Sequence, residues 1–166
     1  MKLLVIGANC AGKTTVIKYL RAHTDDAMST IMEMDEEIAR LNGGEWPKDL
    51  AYKNEVLVPQ ILKRVADMSE VIFFESHLTP DQVAALKQDG GFTTVLIEVD
   101  QEELQRRNRQ RVAEEGYADA STWINSQLIS IAEMKNRRLF HTIIDGSQPT
   151  EMVAGKITKL DSNSSL

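Results

Sequence analysis

Eight residues near the start of the chain carry the clearest chemistry. Gly7-Ala8-Asn9-Cys10-Ala11-Gly12-Lys13-Thr14 follows G-x-x-x-x-G-K-[ST] at each fixed position. A tight, glycine-enabled loop of this kind turns backbone N–H groups inward, toward phosphate oxygens. The helix that begins at its end adds the positive pole of its dipole. Lys13 is placed to reach the β- and γ-phosphates of a nucleoside triphosphate, and the Thr14 hydroxyl to ligate Mg²⁺. Gly7, Asn9, Cys10, Ala11, Gly12, Lys13, Thr14 and Thr15 form the expected nucleotide-binding set. Cys10 is either a small tolerated side chain or a thiol acidified by the helix terminus and Lys13.

Three further groups bear on what happens to the terminal phosphate. Glu33-Met34-Asp35 closes an apolar run, and in strand geometry residues 33 and 35 point to the same side. A carboxylate there suits proton acceptance from a hydroxyl, or a hold on Mg²⁺ through water. The plainer reading is that Asp35 caps a helix starting at Glu36. Arg106, Arg107, Arg109 and Arg111 lie on a segment whose apolar residues are only Leu104, Val112 and Ala113. Arg107 and Arg111 share a helix face and can clamp phosphate oxygens as charge grows. Glu75-Ser76-His77 follows the apolar run Val71 to Phe74, where Glu75 suits an Mg²⁺ ion held via water or a substrate contact, and His77 a substrate hydrogen bond.

These groups need a scaffold that gathers them at one edge. Apolar runs of strand length alternate with longer helical patterns. Strands are expected over 2–6, 29–34, 71–74, 93–99 and 141–144. Helices are expected over 13–23, 35–41, 49–68, 80–88, 101–115, 121–140 and 149–160. Pro59 inside 49–68 predicts a kink or break. Ile124, Leu128, Ile131 and Lys135 are read as one stripe of the 121–140 helix. Alternating strands and helices imply right-handed crossovers and a mainly parallel sheet, which binds ligands beyond its carboxyl strand ends.

Composition sets the remaining bounds. The chain has 166 residues, 42% hydrophobic and 27% charged, with net charge −6. That length suits one domain over 1–160, with an acceptor-binding segment over 35–68, a lid over 105–120 and a frayed tail over 161–166. The acidic balance argues against extended nucleic-acid contact. No apolar run approaches the roughly 20 residues of a membrane span, and Met1 to Ile6 reads as a strand rather than a signal peptide. A single cysteine, Cys10, suits a reducing cytoplasm. Oligomeric state is open.

The chain resembles the small-molecule and nucleotide kinases of the P-loop class, which include adenylate, shikimate and dephospho-coenzyme A kinases. The resemblance spans roughly residues 2–160 and is strongest from Leu3 through Thr15. Glu33-Met34-Asp35-Glu36-Glu37-Ile38 is similar to the Asp-x-Asp-x-x-Ile segment of shikimate and dephospho-coenzyme A kinases. That similarity gives Asp35 the acceptor contact and puts Glu33 where the family has its first aspartate. Glu102 to Arg111 resembles the approach to the mobile lid, with Arg107 and Arg111 matching its arginines. Ile143-Ile144-Asp145-Gly146-Ser147 resembles the last strand and the adenine-contacting loop. The resemblance implies a three-layer α/β fold with a five-stranded, mainly parallel sheet, helices on both faces and a short arginine-rich lid.

It also implies ATP and Mg²⁺ as the phosphoryl donor, Lys13, Asp35, Arg107 and Arg111 as catalytic residues, and a small metabolite, nucleoside or nucleotide as acceptor. The acceptor pocket is expected to be lined from Asn42 to Lys53, a segment holding Trp46, Tyr52 and Lys53, where the Trp46 indole either stacks on a ring or pins the loop to the core. The glycine triplet of shikimate kinases is absent, and Glu75-Ser76-His77 stands there instead. The resemblance therefore supplies the class and not the acceptor. Two rival readings follow from the same residues: a nucleotide-binding switch without a small acceptor, and a kinase of a nucleic-acid end.

Overall fold

The computed structural model describes residues 1–23 and 30–162, with the side chain of Ser162 excluded. Ser29 and residues 163–166 lie outside the described residues. The chain runs β1 Lys2–Ile6, α1 Lys13–His23, β2 Thr30–Glu33, α2 Met34–Leu41, α3 Leu50–Tyr52, a π turn Lys53–Leu57 and α4 Val58–Asp67. It continues β3 Val71–Glu75, α5 Pro80–Gln88, β4 Thr93–Glu98, α6 Gln101–Glu115, α7 Ser121–Asn136, β5 Thr142–Asp145 and α8 Thr150–Ser162.

Five strands form one sheet in the order β2-β3-β1-β4-β5. Every pairing is parallel. Each residue of β3 is buried, as are the last four of β1. A strand hidden on both sides needs a helical layer on each face, which is why these segments are continuously apolar. α1 packs with α8, and α7 packs with α5 and α6. A single cluster from Leu3 through Phe73, Phe74 and Leu96 to Ile157 makes the core.

The parallel register aligns the strand ends. Ile6 stands beside Glu75, Glu33 beside Phe74, and Glu98 beside Asp145. Four acidic residues, Glu33, Glu75, Glu98 and Asp145, thus end four strands along one edge. β3, β4 and β5 open there into loops, whereas β2 runs directly into α2.

The differences from the sequence reading have local causes. Helix α2 starts at Met34, so Asp35 lies in its first turn and not on a strand. The segment 49–68, where Pro59 predicts a kink or break, is divided into α3, the π turn and α4; Pro59 marks the start of the last of these. It sits in the first turn of α4, after a π turn in which the Val58 N–H bonds to the Lys53 carbonyl. The wider turn absorbs the residue whose N–H proline lacks. Helix α7 ends at Asn136, and its buried stripe is Ile124, Gln127, Ile131 and Met134. Leu128 and Lys135 flank that stripe, and Lys135 instead pairs with Glu98 at 2.6 Å. At the C-terminus, Asp161 belongs to α8 and lies 3.9 Å from the N-terminal ammonium. It is not part of a frayed tail.

Gly146 follows β5 and its N–H bonds to the Glu98 carbonyl at 2.7 Å. A Cβ there would meet Ile97 Cγ2 and Val99 Cγ2 at 2.6 Å. Gly146→Ala is therefore expected to cost about 1–3 kcal/mol through overpacking, read as a lower urea midpoint.

Candidate active site

The loop between β1 and α1 is shaped by two backbone conformations. Gly12 has φ +94°, a region closed to most side chains, and Cys10 has φ +67°. Between them the Ala11 N–H bonds to the Ala8 carbonyl at 3.1 Å, tightening the turn. The Val16 N–H reaches Gly12 at 3.0 Å and starts the helical ladder. Asn9, Cys10 and Gly12 therefore lie in the turn that leads into α1, which begins at Lys13. Thr14 and Thr15 are exposed on the first turn.

Lys13 is buried within this loop. Its Nζ donates to the Gly7 carbonyl at 2.7 Å and the Ala8 carbonyl at 3.0 Å. Burial pulls its pKa down to about 8, against the charges of Glu75, Asp35 and Glu33. A small recess next to it is lined by Lys13, Glu33, Met34, Asp35, Phe74, Glu75 and Ser76. The structure thus brings Glu33, Asp35 and Glu75 together around one ammonium group. Glu33 and Asp35 meet because the helix begins between them, and not through the strand alternation read from the sequence.

Glu75 is the most constrained of the three, at 2% exposed. Its Oε1 accepts from the His77 N–H, and its buried Oε2 has no partner. Burial, with Asp35 adding repulsion, raises its pKa to about 7. Glu33 is also raised, by burial and then by Asp35 and Glu36. Its Oε1 accepts from the Thr14 hydroxyl at 3.4 Å.

A larger cavity of about 250 Å³ opens beside this recess. Asp35, Glu75 and His77 supply its polar edge, and Ile38, Val58 and Leu78 its apolar wall. Among the described residues Lys53 is the one lysine or arginine that lines it. Trp46 and Tyr52 do not line it and are 48% and 41% exposed. The π turn brings Lys53 and Asn54 to the cavity and leaves Tyr52 outside. Trp46 acts only at one remove, with its ring 5.5 Å from Lys53 Nζ.

Two of the four arginines turn toward the loop. Arg107 donates to the Cys10 carbonyl and the Gly146 carbonyl, each at 3.3 Å, and to Glu103 at 2.7 Å. Arg111 reaches Cys10 Sγ at 3.6 Å and stacks 4.1 Å from the Tyr117 ring. Arg106 and Arg109 stay exposed on the outer side of α6. Asp145 accepts from the Ser147 N–H at 2.9 Å and hydroxyl at 2.6 Å, which orders the loop that Arg107 touches and keeps the Asp145 carboxyl below its usual range.

Sequence reasoning missed two polar residues, Asn108 and Gln127, both buried. Asn108 donates to Asp119 at 2.7 Å and accepts from the Ala120 N–H at 3.0 Å, pinning the loop between α6 and α7. Gln127 accepts from the Asn9 N–H at 2.7 Å. The signal for Gln127 was its place three after Ile124 and four before Ile131, on the face that must be buried.

The shifted carboxyl gives a pH dependence with a defined sign. Between about 4.5 and 7 folded Glu75 keeps a proton that the unfolded chain has released, so stability falls as pH rises. Lys13 acts oppositely and higher, from about 8 to 10.5, where the unfolded chain holds the extra proton. From pH 5 to 7, wild type is expected to lose about 2–3 kcal/mol relative to Glu75→Gln, measured by urea denaturation at each pH.

Comparison with known proteins agrees with this architecture. No curated protein matches the sequence. Among solved structures, shikimate kinase from Bacteroides thetaiotaomicron aligns with TM-score 0.70 and 18% identity, covering 96% of this chain and 97% of that one. Shikimate kinase from Acinetobacter baumannii, solved with shikimate, gives 0.68 and 19%, covering 99% and 94%. A gluconokinase from Sinorhizobium meliloti 1021 gives 0.63 and 19%, covering 98% and 94%. At these identities the likeness is one of fold. Residues 3–128, which hold the phosphate loop, the three carboxylates and Gln127, match the AAA domain model AAA_33, and the chain belongs to that P-loop family.

Proposed function

We propose that the protein is an ATP-dependent kinase that moves the γ-phosphate of Mg-ATP to a hydroxyl of a small metabolite. The observation that carries this reading is the cavity beside the phosphate loop, which shares Asp35 and Glu75 with the recess at Lys13. A switch protein needs a loop that holds phosphates, and it has no need of a second chamber opening onto them. The kinase neighbours in fold add support of the same kind.

Size and charge narrow the acceptor. The cavity of about 250 Å³ is of small-molecule size. Among the described residues Lys53 is the one lysine or arginine in its lining, which therefore lacks the arginine fork that favours a phosphate group. An end of a nucleic acid is a poor match for such a chamber, and net charge −6 adds to the mismatch.

The roles follow from position. Loop N–H groups and Lys13 hold the β- and γ-phosphates once Lys13 exchanges the Gly7 and Ala8 carbonyls for phosphate oxygens. Asp35 orients the acceptor hydroxyl and takes its proton as that oxygen bonds to the γ-phosphorus. The bond from phosphorus to the β-phosphate oxygen breaks, leaving ADP. Arg107 and Arg111 approach from α6 and balance charge spreading over the transferring group. Asp145, Gly146 and Ser147, the loop that Arg107 touches through the Gly146 carbonyl, would flank the adenine.

Mg²⁺ fits this donor set. Among the described residues no three His, Cys, Asp or Glu side chains form a metal cluster. Mg²⁺ keeps several waters and needs few protein ligands, so Thr14 and, through water, Glu75 with its orphaned oxygen would hold it beside the triphosphate. When bound, it neutralises phosphate charge. A single free cysteine suits a reducing, cytoplasmic setting for this chemistry.

ADP release from Mg-ATP with pooled hydroxylated metabolites tests the reading. One pool is expected to raise release well above the acceptor-free rate. Lys13→Ala should abolish the increment. Asp35→Asn should slow it by about 10²–10⁴-fold with nucleotide binding intact. Equal, slow release in every pool would favour the switch reading, and normal turnover by Asp35→Asn would remove its role.

A further inference from the structure

Gln127 occupies a position that neither the loop chemistry nor the cavity explains. It lies in the middle of α7, 5% exposed, on a stripe otherwise made of Ile124, Ile131 and Met134. A buried primary amide on an apolar stripe is costly unless its groups are satisfied. Its Oε1 accepts from the Asn9 backbone N–H at 2.7 Å. Its Nε2 lies 3.3 Å from Asn9 Oδ1 and 3.2 Å from His77 Nδ1. One side chain therefore joins the phosphate loop to the loop after β3 that lines the acceptor cavity.

The rest of α7 supports the same link. Trp123, one turn earlier, sets its ring edge-on to His77 with centroids 5.8 Å apart. His77 is thus held by two residues of one helix. That helix starts at Ser121, where Asp119 and Asn108 tie the loop leaving α6. Asn9, His77 and the α6–α7 loop consequently share one rigid element. Such contiguous packed groups carry coupling when an element has two arrangements that both sites bias.

We infer that Gln127 is a positioning residue that couples nucleotide occupancy of the phosphate loop to the acceptor side, through Asn9 and His77. A ligand that moves the Asn9 backbone must move or break the 2.7 Å bond to Oε1. The amide then shifts relative to the imidazole, and His77 changes its presentation to the cavity. By linkage, an acceptor that engages His77 alters nucleotide affinity by the same factor. Gln127 touches neither reacting group in this scheme.

Nucleotide titration followed at the His77 imidazole tests this without any acceptor. The probe is Mg²⁺ with a non-hydrolysable ATP analogue, added at pH 8 to the full chain. The Hε1 resonance of His77 is assigned among the three histidines by a His77→Asn variant. In wild type the resonance should move saturably with the analogue. In Gln127→Met, an apolar side chain of similar length, the displacement should fall at least two-fold, with analogue affinity still measurable. Gln127→Glu, which keeps an acceptor for Asn9 but loses the amide donor, should show the same loss and serves if the methionine variant does not fold. An undiminished displacement in the folded variants overturns the coupling. Saturable binding in wild type that leaves His77 unmoved also overturns it, while the kinase reading stands. No analogue binding in wild type defeats the phosphate-loop reading and the coupling together.

Discussion

A buried ammonium needs partners, and meeting that need at Lys13 organises the site. Isolated in the interior, the charge would be prohibitive. The fold answers with two loop carbonyls at hydrogen-bond distance and three carboxylates farther off. Those carboxylates arrive from separate elements. Glu33 comes at the end of β2, Asp35 from the first turn of α2, and Glu75 from the end of β3. Parallel strand order puts β3 between β1 and β2, so the same sheet end delivers all of them. The balance is incomplete by design: Glu75 keeps one oxygen unpartnered, and both Lys13 and Glu75 sit far from their ordinary titration ranges.

Much of the scaffold was legible in the sequence because each element carried its own signal. β1, α1, α5 and α6 follow the expected bounds, since a continuous apolar run, a glycine-lysine loop, a Thr79 capping box and an Asp100 cap mark their ends. The stripe of α7 was misdrawn because Gln127 interrupts it: skipping the amide shifts the face to Leu128, and continuing four residues on from Ile131 then lands on Lys135 instead of Met134. The Asp35 position was misread for a related reason. No Ser, Thr, Asp or Asn precedes α2; its cap position is Glu33, without a side-chain cap bond, so the strand looked longer than it is. Glu33, Asp35, Glu75 and His77 could be picked out from strand ends, and Lys53 from the acceptor segment, whereas the choice of Lys53 over its neighbours Trp46 and Tyr52 could not. Which face of 49–58 meets the cavity depends on a π turn, and a 3.6-residue period cannot foresee it.

Helix α6 shows how a segment with little apolar face stays in place. Only Leu104 and Asn108 are buried in its 15 residues. Packing alone cannot hold such a helix. Asn108 anchors the following loop, and Arg107 spans to Cys10 and Gly146. Glu103 in turn fixes Arg107 at 2.7 Å across one helical turn. These links are polar and partly exposed, so they are cheap to exchange for bonds to a ligand. An element held by such contacts, with little buried apolar area, opens at lower cost than the core helices.

The left-handed backbone at Cys10 joins these threads. A side chain in that region costs on the order of 1 kcal/mol or more, and glycine would remove the cost. Two arginines bear on this residue, Arg107 through its carbonyl and Arg111 through its sulfur. Hydrogen bonds from a charged donor are worth about 1.5–3 kcal/mol when sheltered and less with partial exposure, enough to offset the strain. A glycine at this position would leave the carbonyl bond possible but give Arg111 no sulfur to meet. The cysteine thus exchanges backbone ease for a second contact with α6. The phosphate loop and α6 are thereby held in register through one residue, Cys10.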